Sequence, residues 1–544
     1  MKRRAGTRFA PLLYLALAMI LAVVTLPSVL RPPPEQQQSS AALNPNAPPD
    51  EEAETILQSL KQAASRTAGA TGRNGVAVPQ TTTTTIMKPT HGRCFGNPPR
   101  QTESAYSPLC RAAFTGDNGG STAKNVTGDE ITVAFWHVLG MPAHRGKIED
   151  TPPPDEDGPY RTARVLQRYF NDRYELYGRR LQLWAVEDNG DSDAEQRASA
   201  VKQAEQSHAF IATHLSYPFC DEFTRHGLVC FNGNGFQKQV YTDHAPLWWS
   251  YQMDTDTADQ LAAEYICKKL VDRNADFAGT TLQGKPRIIT VVTEHTPNNH
   301  FRSSAHIVAI TKQICGYTPK NIDFDPAKAE EVAQTIAALR ANGTTTVVPE
   351  VGLVGMIELF SSSDSNHYEP EWVFVNNYGM DFGDAARLTG SPQMNHVFGL
   401  SGWELPQPFQ DTDCYRAYKS IDPSTAPDQN FCRLHWIDLE HIVNGIQEAG
   451  PDLTPQTFEK GLYSMSALLR KGSRPYAVGG GYGPGDHSFV DDFVEMWWDG
   501  NATDPDGGEP GTYRYPQQGK RFRPGDMDDV VRVFKDGVRG YNSP

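Results

Sequence analysis

The hydrophobic and polar positions of the chain follow two different periods from Asp129 onward. The segment EITVAFWHV, which begins at Glu130, places Ile131, Val133 and Phe135 on one face, as a β-strand does. The later segment ARVLQRYFND has its apolar residues at helical spacing instead. We therefore predict that the folded region starts near Asp129, with a strand followed by a helix.

The next stretch, from Tyr169 to Glu195, reads YFNDRYELYGRRLQLWAVEDNGDSDAE. We expect the helix to end at 171–175, Gly178 to mark a turn, and residues 181–186 to form a buried strand. The acidic loop then starts a second helix, because Ser192 and Glu195 fit the S-x-x-E capping box. A calcium loop is the alternative, but the D-x-[DN]-x-[DN]-G spacing is absent.

The same alternation continues along the chain. Strands are predicted at HAFIATHL, GLVCFN, RIITVVTE, TTTVVPE and EPEWVFVNNYG, and helices at QLAAEYICKKLVD, AHIVAITKQIC, AKAEEVAQTIAALRANG and VGLVGMIELFSS. The two tryptophans of EMWWDG are predicted to lie on a closing strand of the second half. Repeated strand–helix alternation predicts an α/β fold with parallel sheets covered on both faces. Ligands of open sheets of this kind bind beyond the carboxyl ends of the strands.

Length and charge narrow the classes of protein. The chain has 544 residues, 38% of them hydrophobic, which is too long for one ordinary domain and favours two lobes plus tails. The formal net charge of -15 argues against a nucleic-acid partner, because a surface that neutralises phosphates needs clustered Lys and Arg.

The N-terminus carries a targeting signal. Basic residues precede an apolar run from Phe9 to Leu30, which as a helix would reach roughly 33 Å and could span a bilayer. Residues 1–30 are therefore a signal peptide or a membrane anchor, and the absence of an A-x-A pattern favours the anchor. Either one places the rest of the chain outside the cytoplasm, at the cell surface. Residues 31–128, rich in Pro, Gln and Thr, are predicted to form a disordered stalk and N-terminal extension.

Eight cysteines in an exported chain indicate disulfides. Eight cysteines allow 105 connectivities, and the spacing alone selects none of them. We predict that sequential neighbours pair. A metal site is the alternative, but there is no C-x-x-C and no Cys–His ligand spacing. The predicted pairs are Cys94–Cys110, Cys220–Cys230, Cys267–Cys315 and Cys414–Cys432.

Several segments together resemble a known family. They are the stretch from Tyr169 to Glu195 and, after it, FIATHLSYPFCDEFTRHGLVCFNGNG, PRIITVVTEHTPNNH, WVFVNNYG and HWIDLEHIVNGIQEAGPDLTPQTFEKGLYSM. In this order they resemble the leucine/isoleucine/valine-binding-like extracytoplasmic solute-binding proteins, which have the type 1 periplasmic-binding fold. The resemblance covers about Glu130 to Met465 and continues more loosely to Arg523.

The resemblance implies two doubly wound α/β lobes that are joined by three crossovers and close on a small polar ligand. Lobe one would comprise residues 129–254 and 398–475, and lobe two residues 255–397 and 476–544. The crossovers would fall near YQMDTDT, VFGLSGW and RPYAVGG. The implied ligand is an amino acid, an amide or a related molecule, and the implied partner is an ABC permease.

The resemblance also implies ligand contacts at the strand ends. In lobe one these are His214, Leu215, Ser216 and Tyr217 in one loop and Asn232 and Gly233 in the next; in lobe two they are Glu294, His295 and Asn298, then Asn377 and Tyr378. In amino-acid-binding members the Asn377 position tends to be acidic, so its neutral side chain argues against an α-amino acid. Structural roles remain open as well: His214 could support its loop, Ser216 could cap the helix behind it, and Tyr378 could be a core aromatic.

No motif indicates an enzyme or a cofactor. The segment GGGYGPG lacks the G-K-[ST] ending of a phosphate loop and is predicted to be a flexible connection, and neither G-x-S-x-G nor H-E-x-x-H occurs. The sequence therefore favours a non-catalytic solute-binding protein. A membrane-tethered sensor or scaffold with the same fold is the main alternative, and an exported hydrolase is the weaker one.

Overall fold

The structure is a computed structural model that describes residues 94, 99–101, 104–137, 145–187, 192–294, 304–375, 379–469, 476–505, 508 and 510–540. The apolar N-terminal run and residues 31–93 lie outside the described residues. No helix of the described part has the length and apolar composition needed to cross a bilayer.

The first sheet has six strands and carries the amino-terminal half of the folded region. Its central strand buries Ile131, Val133 and Phe135 on one face, as the alternation predicts, and Ala134 on the other. The strands are parallel except for the short second one, which pairs antiparallel at the edge. In spatial order they are β2 Gly146–Lys147, β3 Arg180–Glu187, β1 Glu130–His137, β4 Ile211–His214, β5 Val229–Asn232 and β6 Trp248–Ser250.

Helices connect these strands and cover both faces. The predicted capping box is confirmed: Ser192 Oγ accepts from Glu195 N at 3.4 Å, and Glu195 Oε2 accepts from Ser192 N at 3.1 Å. The predicted turn also occurs, since Tyr177 and Gly178 both have positive φ, 59° and 80°. The helices are α1 Gly158–Arg173, α2 Asp193–Gln206, α3 Tyr217–Arg225 and α4 Lys238–Asp243.

The second sheet has a parallel centre and an antiparallel edge. Strands β7 to β11 run parallel, and β12, which carries Trp497 and Trp498 as predicted, closes the sheet antiparallel to β11. In spatial order the strands are β13 Pro510–Arg514, β12 Phe493–Thr503, β11 Val397–Ser401, β10 Glu371–Val375, β9 Thr346–Glu350, β7 Ile289–Glu294 and β8 Lys320–Phe324; β14 Arg521–Phe522 also pairs with β12.

Four helices of the second sheet lie on predicted segments, whereas the short helix Gly383–Leu388 was not predicted. One strand position requires glycine: Gly399 in β11 has φ 144°, and a methyl group there would lie 1.9 Å from the carbonyl oxygen of Phe374. The helices are α5 Thr255–Tyr265, continued by a π-helical turn Ile266–Leu270, then α6 Ser304–Cys315, α7 Ala329–Ala341, α8 Leu353–Ser365 and α9 Gly383–Leu388, with a 3-10 turn Pro392–His396.

After the second sheet the chain returns to the first. Phe431 lies 5.5 Å from Phe135 and Phe458 lies 6.4 Å from Phe210, ring centre to ring centre, so the returning helices cover a face of the first sheet. We use lobe one for the first sheet with all helices packed on it, and lobe two for the second sheet with its helices. The returning elements are a 3-10 turn Phe409–Asp411, α10 Asp413–Lys419, α11 Gln429–Ala449 and α12 Pro455–Leu469.

Three crossovers join the lobes, at residues 251–254, 402–412 and 476–492. The third crossover is bonded to the first and to the end of β6, because Val490 N donates to Tyr251 O at 3.1 Å and Phe489 N donates to Ser250 O at 3.0 Å. The glycine-rich segment belongs to the third crossover and forms a tight hairpin rather than a flexible connection. Gly480 is required there, since a methyl group would lie 1.9 Å from Phe489 O.

The folded part begins earlier than the hydrophobic pattern indicates. Tyr106 is only 2% exposed, and the segment around it lies along α11. Asn444 Nδ2 donates to Tyr106 O at 3.0 Å, and Gln447 Nε2 donates to Leu109 O at 3.0 Å. Polar side chains of a helix far along the chain hold this extension, so the hydrophobic pattern of the extension itself does not predict that it is folded.

The structure contains the four disulfides between sequential neighbours. They join residues that lie 16, 10, 48 and 18 positions apart in the sequence. The bonds are Cys94–Cys110, Cys220–Cys230, Cys267–Cys315 and Cys414–Cys432.

Candidate functional site

The predicted lobe-one residues meet at the carboxyl ends of two neighbouring strands. His214 ends β4 and pairs in register with Asn232, which ends β5. The His214 ring is buried, stacks on Phe219 with centres 3.9 Å apart, and accepts a hydrogen bond from Ser216 N at 2.9 Å. Burial lowers the pKa of His214 to about 3, so the ring is neutral and holds the shape of the loop.

Ser216 and Tyr217 begin the helix behind this loop. Ser216 is the N-cap of α3, and its Oγ accepts from Phe219 N at 3.3 Å. The hydroxyl also contacts Gln196 Oε1. The ring of Tyr217 packs against Phe236 and Trp248, with ring centres 5.7 and 5.3 Å away. Both side chains therefore have structural partners.

The second loop is closely packed. The side chain of Asn232 is fully buried, and its Oδ1 accepts from Asn234 N at 2.6 Å. A methyl group at Gly233 would lie 2.6 Å from Leu215 Cδ2 and 3.7 Å from Asp438 Oδ2. Glycine lets the two loops touch without displacing the end of the Leu215 side chain, and this position lies beside the carboxylate of Asp438.

Asp438, on α11, is the most unusual group of this wall. It is 7% exposed, and no hydrogen bond or ion pair connects its carboxylate with another described residue. Burial raises its pKa to about 8, and burial is the sole cause of the shift. We call Leu215, Ser216, Gly233 and Asp438 the lobe-one wall.

Sequence reasoning missed Asp438, although the segment WIDLEHIV held a signal. In that helix Trp436, Leu439 and Ile442 are core residues, and Asp438, Glu440 and His441 between them are buried as well. Charged residues are rarely buried without a partner, so two acidic residues among the core positions of one helix indicate a special role.

In lobe two, Glu294 ends β7 as predicted. Its Oε2 accepts from Gly352 N, at the start of α8, at 3.0 Å. Burial raises the pKa of Glu294, and the hydrogen bond from Gly352 opposes that shift. Glu294 therefore holds the loop that follows β9 as well as ending its own strand. The other predicted lobe-two residues, His295, Asn298, Asn377 and Tyr378, lie outside the described residues.

A separate cavity of about 220 Å³ lies between the two lobes. Its walls come from the middle crossover at Trp403 and Glu404, from lobe two at Phe382 and Tyr513, and from α11 of lobe one at Trp436. An ion pair between Arg433 of α11 and Asp384 of α9 bridges the lobes at this cavity. None of the predicted ligand residues that the structure describes lines this cavity.

Tyr106 connects the crossovers at the base of this cavity. Its hydroxyl donates to Glu404 Oε1 in the middle crossover and accepts from Val478 N in the third crossover at 3.2 Å. Burial raises the pKa of Glu404 to about 7, and the carboxylate of Asp413 adds to the shift. One residue of the N-terminal extension thus bonds two of the three crossovers.

Comparison with known proteins establishes the fold. No family model and no curated protein matches the chain. Among solved structures, a periplasmic binding protein from Burkholderia mallei matches with a TM-score of 0.51 at 9% identity, covering 75% of this chain and 98% of that one. A fatty acid ABC transporter substrate-binding protein from Thermomonospora curvata matches with a TM-score of 0.50 at 12% identity, covering 77% of this chain and 100% of that one. The predicted two-lobe α/β fold class is confirmed.

Proposed function

We propose that this chain, which has the fold of periplasmic binding proteins, is a non-catalytic extracytoplasmic solute-binding protein. Its two lobes close on a small polar ligand, and the loaded form is presented to an ABC permease. The two parallel sheets support this function, because open sheets of this kind bind ligands beyond the carboxyl ends of their strands. Fold alone does not select a function, so the chemistry of the cleft has to support it.

The observation that carries the proposal is the carboxyl group of Asp438. A buried carboxylate without a partner is costly, and a ligand that donates a hydrogen bond or carries an ammonium would remove that cost on binding. The backbone at Gly233 lies beside it, where it can approach a ligand closely. An amino acid, an amide or a related molecule has the required N–H donors.

Binding to the full-length chain tests the proposal. Amino acids, amides, urea, short peptides and aromatic acids are screened by thermal shift, and any hit is titrated by calorimetry. A ligand at a hundredfold excess over its Kd adds about 2.7 kcal/mol to the stability of the folded protein. We expect one saturable site per chain. A folded protein that responds to none of these classes contradicts the proposal.

The variant Asp438→Asn locates the site. It keeps the size of the side chain and removes its ability to ionise when an ammonium group binds beside it, so we expect the affinity for the hit to fall at least tenfold. The matched control is Asp452→Asn, because Asp452 is exposed on the same lobe. Equal affinity of the two variants would place the ligand elsewhere.

A further inference from the structure

The cavity between the lobes has a strongly aromatic lining. Its walls include Tyr251, Phe382, Trp403, Trp436, Tyr513 and Tyr515. The rings of Phe382 and Trp403 are 4.4 Å apart, centre to centre, and inclined at 43°, so they form a corner rather than a flat stack. An aromatic ring attracts a cation that lies over its face, so an aromatic lining favours a cationic ligand.

The charges on the walls have the sign that a cation needs. Among the described residues, five acidic ones line the cavity, Asp381, Asp384, Glu404, Asp413 and Asp504, against the two arginines Arg387 and Arg433. Both arginines are bonded to Asp384, and Arg387 also pairs with Asp504 at 2.9 Å. Asp413 is paired in turn with Arg416, and an anionic ligand would still meet more carboxylates than arginines.

One polar group defines the ligand further. Glu404 is half-buried at the base of the cavity, where Tyr106 orients its carboxyl group. A cationic centre of the ligand would face this carboxyl group and the rings.

From these observations we propose that the cavity is a second binding site, which takes a small organic cation with an apolar body, such as an alkylammonium ion. The volume of about 220 Å³ suits a small molecule, being below the roughly 300–1,000 Å³ of drug-sized sites. None of the residues of the lobe-one wall lines this cavity, so the two proposed sites share no wall residue. Since both lobes contribute walls, the cation stabilises the interlobe arrangement of this structure.

Two probes of the same shape, one charged and one neutral, test the second site on the full-length chain. Choline combines a trimethylammonium group with a hydroxyl, and 3,3-dimethylbutan-1-ol has the same shape without the charge. By calorimetry we expect choline to bind once per chain, at least fivefold more tightly than the neutral alcohol. Absence of choline binding at millimolar concentration, or equal affinity for both probes, overturns the proposal.

Two variants place the probe in the cavity. Trp403→Leu removes an aromatic face and keeps apolar bulk, and Glu404→Gln removes the charge and keeps an acceptor for Tyr106. Each should lower the affinity for choline at least fivefold. The control Trp497→Leu alters a tryptophan that does not line the cavity and should leave the affinity unchanged. If both cavity variants bind choline as tightly as the unaltered chain does, the inference is wrong. The inference is also wrong if only Asp438→Asn abolishes choline binding, because choline would then bind at the lobe-one wall.

Discussion

Replacing Asp438 with asparagine should stabilise the empty protein. In the folded chain, burial raises the pKa of this carboxyl group from its ordinary value of 3.8 to about 8. An acid whose folded pKa is raised favours the unfolded state as the pH rises above the ordinary pKa, because the unfolded chain releases the proton first. The penalty grows until the pH passes the folded pKa and is constant above it.

The magnitude follows from the size of the shift. Between 3.8 and pH 7 the gap is about three pH units, and each unit is worth about 1.4 kcal/mol, so the carboxyl group costs roughly 4 kcal/mol at pH 7. At pH 5 the cost is roughly 1.5 kcal/mol. The neutral amide of Asp438→Asn avoids this cost at every pH.

Urea unfolding of the empty chain between pH 5 and 8 measures the effect. The free energy of unfolding of Asp438→Asn should exceed that of the unaltered chain by an amount that grows by about 1.4 kcal/mol per pH unit up to pH 8. The control Asp452→Asn should follow the unaltered chain at every pH. If the difference in free energy of unfolding between Asp438→Asn and the unaltered chain did not change with pH, burial would not raise the pKa of Asp438 in the folded protein.

Three further results are expected. Because Glu404 has a pKa of about 7, the affinity for choline should rise up to about tenfold from pH 6 to pH 8, whereas calorimetry of Glu404→Gln should show no dependence on pH. A rise of affinity with pH in the variant would assign the titration to another group that faces Glu404. Those groups are Tyr106, Tyr251, Asp413, Arg416, Glu440 and Arg521. Gly399→Ala should lower the free energy of unfolding by more than 3 kcal/mol, whereas Gly483→Ala, with no atom within 4 Å of the added methyl, should be neutral in urea unfolding. Ser216→Ala should lower the stability of the empty chain by about 1 kcal/mol through loss of the cap, and unchanged unfolding would deny it that role.

The sequence predicts the framework because local patterns set it. The alternation around Ile131 and the box at Ser192 depend on neighbours within a few residues, and both features occur in the structure. The order of strands and helices then restricts the topology, since parallel crossovers have one handedness. The predicted closing strand at Trp497 is present as well, but it pairs antiparallel with β11, so the rule for parallel crossovers does not account for it.

The site could be predicted only in part, because distant segments build it. The position of His214 and Glu294 at strand ends follows from the pattern, but their hydrogen bonds to Ser216 N and Gly352 N depend on loop geometry. Asp438 reaches the same wall from a helix more than 200 residues along the chain from Gly233. The walls of the interlobe cavity come from both lobes and a crossover, and local hydrophobic periodicity does not predict contacts between such distant segments.

The bonds of Tyr106 determine where the protein can be shortened. The hydrophobic pattern places the first strand at Glu130, and a chain trimmed to that point would keep both sheets. It would lose the hydroxyl that joins Glu404 to Val478, together with the Ser104 hydroxyl that donates to Glu440 Oε2 at 2.8 Å. The trimmed protein would have the same two lobes, but its crossovers would be held together by fewer hydrogen bonds. Affinities measured on it would therefore describe a different molecule from the natural one.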